Sequence, residues 1–251
     1  PSRGLGDVYK RQVSALMAGC NVVRCDDPAQ APRDAALIFL NSPSNPTGAV
    51  ASVELLRSWV AFARETGAII ASDECYLYLG WATEPVSVLH PSVTGGDNTG
   101  LLALHSLSKT SNLASYRCGM ISGDEALVQE LLEVRKHAGL IVPGPIQHAM
   151  VAALESDLHE EMQRSAYASR RLELLKALPD AGFTVDHSDA GLYLWVRREG
   201  MDSRQALDWF ADRGILGAPG DFYGPAGASH VRIALTAPDE KITKAARRIT
   251  Q

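Results

Sequence analysis

The sequence predicts an α/β fold. Short continuous apolar runs alternate with segments whose apolar residues recur at helical spacing, the pattern of strands and crossover helices. Clusters of Pro, Gly, Ser and Asn close the runs and mark the loops between elements.

Residues 36–40 read as a fully buried strand, ending in the turn-rich stretch Asn41-Ser42-Pro43-Ser44-Asn45-Pro46-Thr47-Gly48. Ser52 can cap a helix running to about Thr66, with Leu55, Leu56, Trp59, Val60 and Phe62 as its apolar stripe and Gly67 ending it. A second buried strand, 68–71, closes on Ser72-Asp73-Glu74. A third is expected over 101–107 and a fourth over 120–122. Residues 124–137 form a helix with Leu127, Leu131 and Val134 along one face. Pro143-Gly144-Pro145 breaks the chain, and a long helical stretch follows over 146–178, interrupted near Ser156. Beyond Pro179 the pattern is shorter, with strands near 183–186, 192–197 and 231–235 and helices near 204–212 and 239–249. The expected organisation is a large α/β domain up to about residue 145, then a bridging helix and a smaller α+β C-terminal domain over 146–251.

Composition narrows the function classes. Hydrophobic residues make up 46% and charged residues 21%, which excludes overall disorder. Twenty-four Lys and Arg against 29 Asp and Glu give a net charge of −5, so no basic footprint exists for nucleic acid or an anionic membrane. Cys20, Cys25, Cys75 and Cys118 show neither C-x-x-C pairing nor metal-ligand spacing with histidine. That argues against a zinc site or disulfide framework and fits a reducing, cytoplasmic compartment. No apolar run approaches the ~18 residues of a membrane span. The chain opens Pro1-Ser2-Arg3-Gly4, so its first residues say nothing about targeting.

Three features fall at the C-terminal ends of predicted strands, where open α/β sheets bind ligands: Asn45, Asp73 and Lys109. An apolar strand ending in Asp-Glu also describes the magnesium strand of P-loop ATPases, but no G-x-x-x-x-G-K-[ST] loop occurs, and no G-x-G-x-x-G supports a dinucleotide site. Alone, Asp73 could merely cap a turn, and an isolated Lys109 would be an ordinary solvated loop residue. Lys109 lies in Ser106-Leu107-Ser108-Lys109-Thr110, with Arg117 eight residues later. Hydroxyls plus a guanidinium suit a phosphate dianion, and a partly desolvated lysine is a competent amine nucleophile. A cofactor with an aldehyde, a basic ring nitrogen and a phosphate would use all three.

Asn45-Pro46-Thr47-Gly48, Asp73-x-x-Tyr76, Ser106-x-Ser108-Lys109, Arg117-Cys118-Gly119 and the late Arg232 of His230-Val231-Arg232-Ile233-Ala234 occur in this order. Together they resemble the class I/II aminotransferases of pyridoxal-phosphate fold type I, over residues 13–249. Ser115 and Cys118 depart from the usual pattern without touching a chemical role. Within the family, residues 72–77, 84–91, 134–139 and 188–195 are most similar to the branch acting on N-succinyl-diaminopimelate.

The resemblance implies a three-layer large domain, incomplete at its N-terminus, and a small α+β domain. It implies pyridoxal 5′-phosphate as cofactor, joined to Lys109, which would also move the substrate proton as general acid/base. Asp73 would keep the pyridine nitrogen protonated, and Tyr76 and Asn45 would bond the 3-hydroxyl oxygen. Ser106, Ser108 and Arg117 would hold the phosphate, and Arg232 the substrate α-carboxylate. The Asn45–Pro46 bond is expected to be cis. Arg135, Lys136 and His137 are the nearest cations by sequence for distal carboxylates, although they could equally be a solvated helix end. Residues 1–12 look foreign to the family, so 13–145 would be the C-terminal part of the cofactor-binding domain. The active protein would be a homodimer, with 140–147 reaching the partner. Two other readings stay open: another aminotransferase or C–S lyase of the same fold, and a ligand-sensing domain of a transcription regulator.

Overall fold

The computed structural model describes residues 8–251, with side chains from residue 12 onward. Residues 1–7 of the expected leader lie outside the described residues, and helix α1 (Val8–Met17) runs through the boundary expected at residue 12.

The first sheet holds β1 (Leu37–Asn41), β2 (Ile69–Asp73), β3 (Leu101–Ser106) and β4 (Gly119–Gly123), in that spatial order. β1, β2 and β3 run parallel, and β4 returns antiparallel to β3. Helix α2 (Val53–Thr66) connects β1 to β2. Ser52 Oγ accepts the Leu55 N–H at 3.2 Å, and Gly67 closes the helix in the left-handed region at φ 76°. The face of α2 bearing Leu56, Trp59, Val60 and Ala63 packs on Ile38, Ile70, Leu101 and Ala103. Val93, in the single turn α3 (Pro91–Thr94), joins that core.

One expectation of burial is corrected. β1 is not fully buried: Ile38 is 8% exposed, but Leu37 and Phe39 are 49% and 44% exposed. Alternate residues of a strand point to opposite faces, and the α2 core receives only Ile38 and Leu40. α5 (Glu125–His137) carries the predicted apolar stripe, yet none of its residues is buried, and Val134 is 65% exposed. Helical periodicity sets which residues share a face and not how deeply that face is covered. The third strand also stops early, because Leu107 opens the short helix α4 (Leu107–Thr110) with Ser106 as its cap.

The helical stretch divides as α6 (Gly144–Leu154) and α7 (Leu158–Asp180), with the break at the expected place. The second sheet is antiparallel, ordered β5 (Phe183–Asp186), β6 (Tyr193–Arg198), β8 (His230–Ala234), β7 (Ala218–Pro219). α8 (Ser203–Ala211) and α9 (Asp239–Ile249) complete it, α8 entered through a capping box between Asp202 and Gln205. Leu194 and Val196 of β6 and Val231 and Ile233 of β8 bury one face of the sheet against Leu174, Leu178, Phe210, Ile242 and Ala246. The same core takes in Tyr76 and Leu79, from the segment after β2.

The loops after β1 and β2 are tied to the loop before β6. The Ala190 N–H donates to the Gly48 carbonyl at 2.9 Å, the Gly191 N–H to Leu79 at 2.8 Å, and Trp81 Nε1 to Gly191 at 2.8 Å. Gly48 sits at φ 74°, and a Cβ there would lie 2.6 Å from the Ala190 carbonyl oxygen. Only glycine allows this approach.

Candidate active site

Sheet register brings the sequence-distant candidates to one edge. Asn41 at the end of β1 pairs with Asp73 at the end of β2, Asp73 with Leu104 of β3, and Ser106 with Gly119 of β4. The parallel strands therefore deliver the Asn45 loop, Asp73 and Ser106–Lys109 to their shared C-terminal end.

The loop over 42–48 is buried throughout. It is folded on itself by Ser44 N–H to Ala49 and Gly48 N–H to Ser44, and Ser42 Oγ accepts the Ala51 N–H at 2.9 Å. The Asn45–Pro46 bond is cis as expected, and Ser42–Pro43, which the sequence reading did not single out, is cis too.

Arg232 meets this loop from the other sheet. Val231 and Ile233 turn into the core, so strand alternation puts Arg232 on the opposite face. Its Nη1 donates to Asn45 Oδ1 at 2.8 Å. Its guanidinium carbon lies 3.9 Å from the Tyr193 ring centroid and 5.1 Å from that of Tyr223. Its Nε is buried and has no hydrogen-bond partner among the described residues. A buried donor without an acceptor costs about 1–3 kcal/mol, and a carboxylate would satisfy it. Tyr76 is 4% exposed, and its hydroxyl lies 3.2 Å from that of Tyr193. Asn45, Arg232, Tyr193 and Tyr76 thus form one connected group.

Asp73 ends β2 half-buried, and its Oδ1 accepts the Cys75 N–H at 3.1 Å. Ser106 Oγ donates to Ser108 Oγ at 2.9 Å and accepts the Ser108 N–H at 3.2 Å, so the two hydroxyls sit together at the start of α4. Lys109 is half-buried in α4, and no hydrogen bond or ion pair joins its Nζ to another described residue. Arg117 lies two residues before β4 in the left-handed region at φ 54°, exposed, with Nη1 on the Ala114 carbonyl at 2.7 Å. It shares the strand end with the two serines without bonding to them.

Arg135, Lys136 and His137 are not brought to this group by any contact. Arg135 Nη2 donates to the Leu140 carbonyl at 2.6 Å, and Lys136 and His137 lie 2.6 Å and 3.9 Å from Glu133. They behave as the charged end of α5.

Sequence reasoning missed Tyr193 and Tyr223 as site residues. Tyr193 stood in a stretch noted for similarity, but its alternation with Leu194 looks like that of any strand. It also missed Glu74, 2% exposed, whose Oε1 accepts the Val88 N–H at 2.8 Å while Oε2 faces His105 Nε2 at 3.6 Å. Glu74 fastens the loop before α3 beneath the strand ends.

Among the described residues, a half-buried amine without a partner, a strand-end carboxylate, two hydroxyls with a nearby guanidinium and a second guanidinium with an orphaned Nε therefore share one edge. Among the described residues no cluster of His, Cys, Asp and Glu could hold a metal ion.

The chain belongs to the class I and II aminotransferases, whose family model matches residues 24–249. Pyridoxal 5′-phosphate is the cofactor of this family and of its structural neighbours, and the donor set just described fits its aldehyde, ring nitrogen and phosphate. The chain is 60% identical over 239 residues to a probable aminotransferase of Mycobacterium tuberculosis, spanning 95% of this chain and 57% of that protein. It is 54% identical to the 4-dedimethylamino-4-oxo-anhydrotetracycline transaminase of Streptomyces rimosus, spanning 95% of this chain and 66% of that one. Among solved structures, an aminotransferase from Staphylococcus aureus superposes with a TM-score of 0.88 at 27% identity, covering 99% of this chain and 69% of the other. The chain thus spans 57% and 66% of the length of these two curated relatives.

Proposed function

We propose that this protein is a pyridoxal-phosphate-dependent aminotransferase. The observation that carries the reading is the Arg232 guanidinium, fixed by Asn45 at 2.8 Å and by the Tyr193 ring at 3.9 Å, with its Nε buried and unsatisfied. Such a fork is matched to a carboxylate, the group common to every amino acid and 2-oxo acid.

When bound, pyridoxal phosphate supplies an aldehyde that takes up amines and a ring that accepts the electrons released at the substrate Cα. Lys109 Nζ would hold the cofactor through its aldehyde carbon and, once displaced by the substrate amine, carry the proton away from Cα. Asp73 would keep a proton on the ring nitrogen. Tyr76 and Asn45 would hydrogen-bond the 3-hydroxyl oxygen. Ser106, Ser108 and Arg117 would hold the phosphate, and Arg232 the α-carboxylate.

For the substrate we infer exchange of an amino group between N-succinyl-LL-2,6-diaminopimelate and 2-oxoglutarate, in diaminopimelate and lysine biosynthesis. The reading is supported by 35% identity to the LL-diaminopimelate aminotransferase of Aquifex aeolicus. A structure from Thermus thermophilus described as a probable N-succinyldiaminopimelate aminotransferase adds support, at a TM-score of 0.82 and 30% identity. A second reading, a transaminase for a different amino compound, is favoured by the relative named as a 4-dedimethylamino-4-oxo-anhydrotetracycline transaminase. We also propose a cytoplasmic homodimer. Cys20, Cys25, Cys75 and Cys118, none in a disulfide among the described residues, support a reducing compartment, and the exposed Leu140 and Ile141 support a partner over 140–147. Among the described residues no helix is long and apolar enough to cross a membrane.

Borohydride reduction of the protein with pyridoxal phosphate, followed by mass mapping, tests the site: a reduced adduct on Lys109 is expected, and an adduct on another lysine overturns it. Lys109→Ala should lose both the adduct and transamination. Turnover with N-succinyl-diaminopimelate against other amino donors, with and without 2-oxoglutarate, decides the substrate. Turnover that does not need the oxo acid would indicate lyase chemistry instead.

A further inference from the structure

We propose that Tyr193 is the positioning residue that joins the carboxylate-binding half of the site to the cofactor-binding half. The proposal rests on the function inferred above. Tyr193 opens β6 two residues before Trp195, the partner of Arg232 in β8, and is half-buried where its neighbours Leu192 and Leu194 are fully buried. It is thereby delivered to the same face as Arg232.

One side chain makes two different contacts. Its ring carries the Arg232 guanidinium at 3.9 Å from the centroid, inside the ~6 Å reach of a cation–π contact. Its hydroxyl lies 3.2 Å from the Tyr76 hydroxyl, and the two rings meet edge to face at 5.9 Å. Each phenol has one proton and two lone pairs. If Tyr193 donates to Tyr76, the Tyr76 proton is left for another acceptor; if Tyr193 accepts, that proton is consumed. The cation on the Tyr193 ring draws electron density from it and favours the donor role. Tyr76 is thereby set to donate toward the 3-hydroxyl oxygen of the cofactor. The ring and the hydroxyl of Tyr193 have separable tasks, so two substitutions separate them.

Tyr193→Phe keeps the ring and loses the hydroxyl, and Tyr193→Leu loses both. The first readout is the pH midpoint of the visible absorbance of the lysine-bound cofactor. The second is succinate affinity by calorimetry, with and without cofactor. Tyr193→Phe should move the midpoint upward by several tenths of a pH unit, because Tyr76 becomes a poorer donor. Its succinate affinity should stay within about twofold. Tyr193→Leu should show the same midpoint shift and bind succinate about 3- to 30-fold more weakly. An unmoved midpoint in Tyr193→Phe, or unchanged succinate affinity in Tyr193→Leu, overturns the proposal. Failure of the unmodified protein to take up cofactor would count against the proposed function instead, and succinate binding by the two variants then decides the role of Tyr193 by itself.

Discussion

Arg232 Nη1 donates to Asn45 Oδ1 at 2.8 Å, joining the last strand of the second sheet to the loop after the first strand of the other. The bond fixes the guanidinium before any ligand arrives, so part of the ordering cost of binding is already met. Hydrogen bonds to charged groups contribute about 1.5–3 kcal/mol. Asn45→Ala should therefore lower kcat/KM for amino-acid substrates about 10- to 100-fold in steady-state assays. An unchanged kcat/KM would show that Asn45 does not orient Arg232.

Gly48 should be intolerant of a side chain. Its φ of 74° costs an L-residue about 1–2 kcal/mol, and the added Cβ would meet the Ala190 oxygen at 2.6 Å. Gly48→Ala is expected to lower the urea midpoint by more than the backbone term alone. The displaced Ala190 loop should also loosen the Arg232 clamp, which a weaker response to succinate would report.

Phe210 is fully buried, 4.7 Å centroid to centroid from Phe183 and 5.1 Å from Trp209. Phe210→Ala should destabilise the fold by about 3–5 kcal/mol, transfer and cavity terms together. Denaturant unfolding measures this directly, and a loss below about 1 kcal/mol would mean the cavity collapses.

His230 predicts the acid side of the stability profile. Burial pushes its imidazole below the ordinary value, against the pull of Asp186, whose Oδ2 lies 2.9 Å from Nε2. Burial pushes the Asp186 carboxyl up, but hydrogen bonds from His230 and Arg197 outweigh it and hold the group below the usual carboxylate range. The carboxylate accepts only, so the neutral ring carries its proton on Nε2, and Ser229 Oγ donates to Nδ1 at 3.1 Å. In both cases the folded state binds fewer protons than the unfolded chain, so stability rises with pH. The histidine contribution should fade as pH falls below 6.5, and that of Asp186 further down, below 3.8. Melting temperatures between pH 7 and 5 should fall in the unmodified protein and fall less in His230→Gln; parallel slopes would refute the assignment.

What could be read beforehand follows from how local each cause is. α2 was legible because its cap, stripe and stop are all in the sequence: Ser52, the Leu56–Trp59–Val60 spacing and Gly67. The break between α6 and α7 was legible for similarly short-range reasons, whereas the cis Asn45–Pro46 bond was expected only from the family resemblance. The burial of β1 and α5 was not, because periodicity tells which residues share a face and not what covers it. Tyr193 escaped because a strand residue facing a site and one facing solvent have the same period of two. β7 escaped because its two residues, Ala218 and Pro219, are too few for any pattern.

The separation of 187 positions between Asn45 and Arg232 also sets a clock. A ribosome adding roughly 5–20 residues per second needs roughly 10–40 s to travel from one to the other. Through that interval the nascent chain displays the Asn45 loop without the Arg232 guanidinium that closes on it. Arg232 follows every strand of the first sheet in the chain, so the carboxylate clamp is completed only after that sheet has been made.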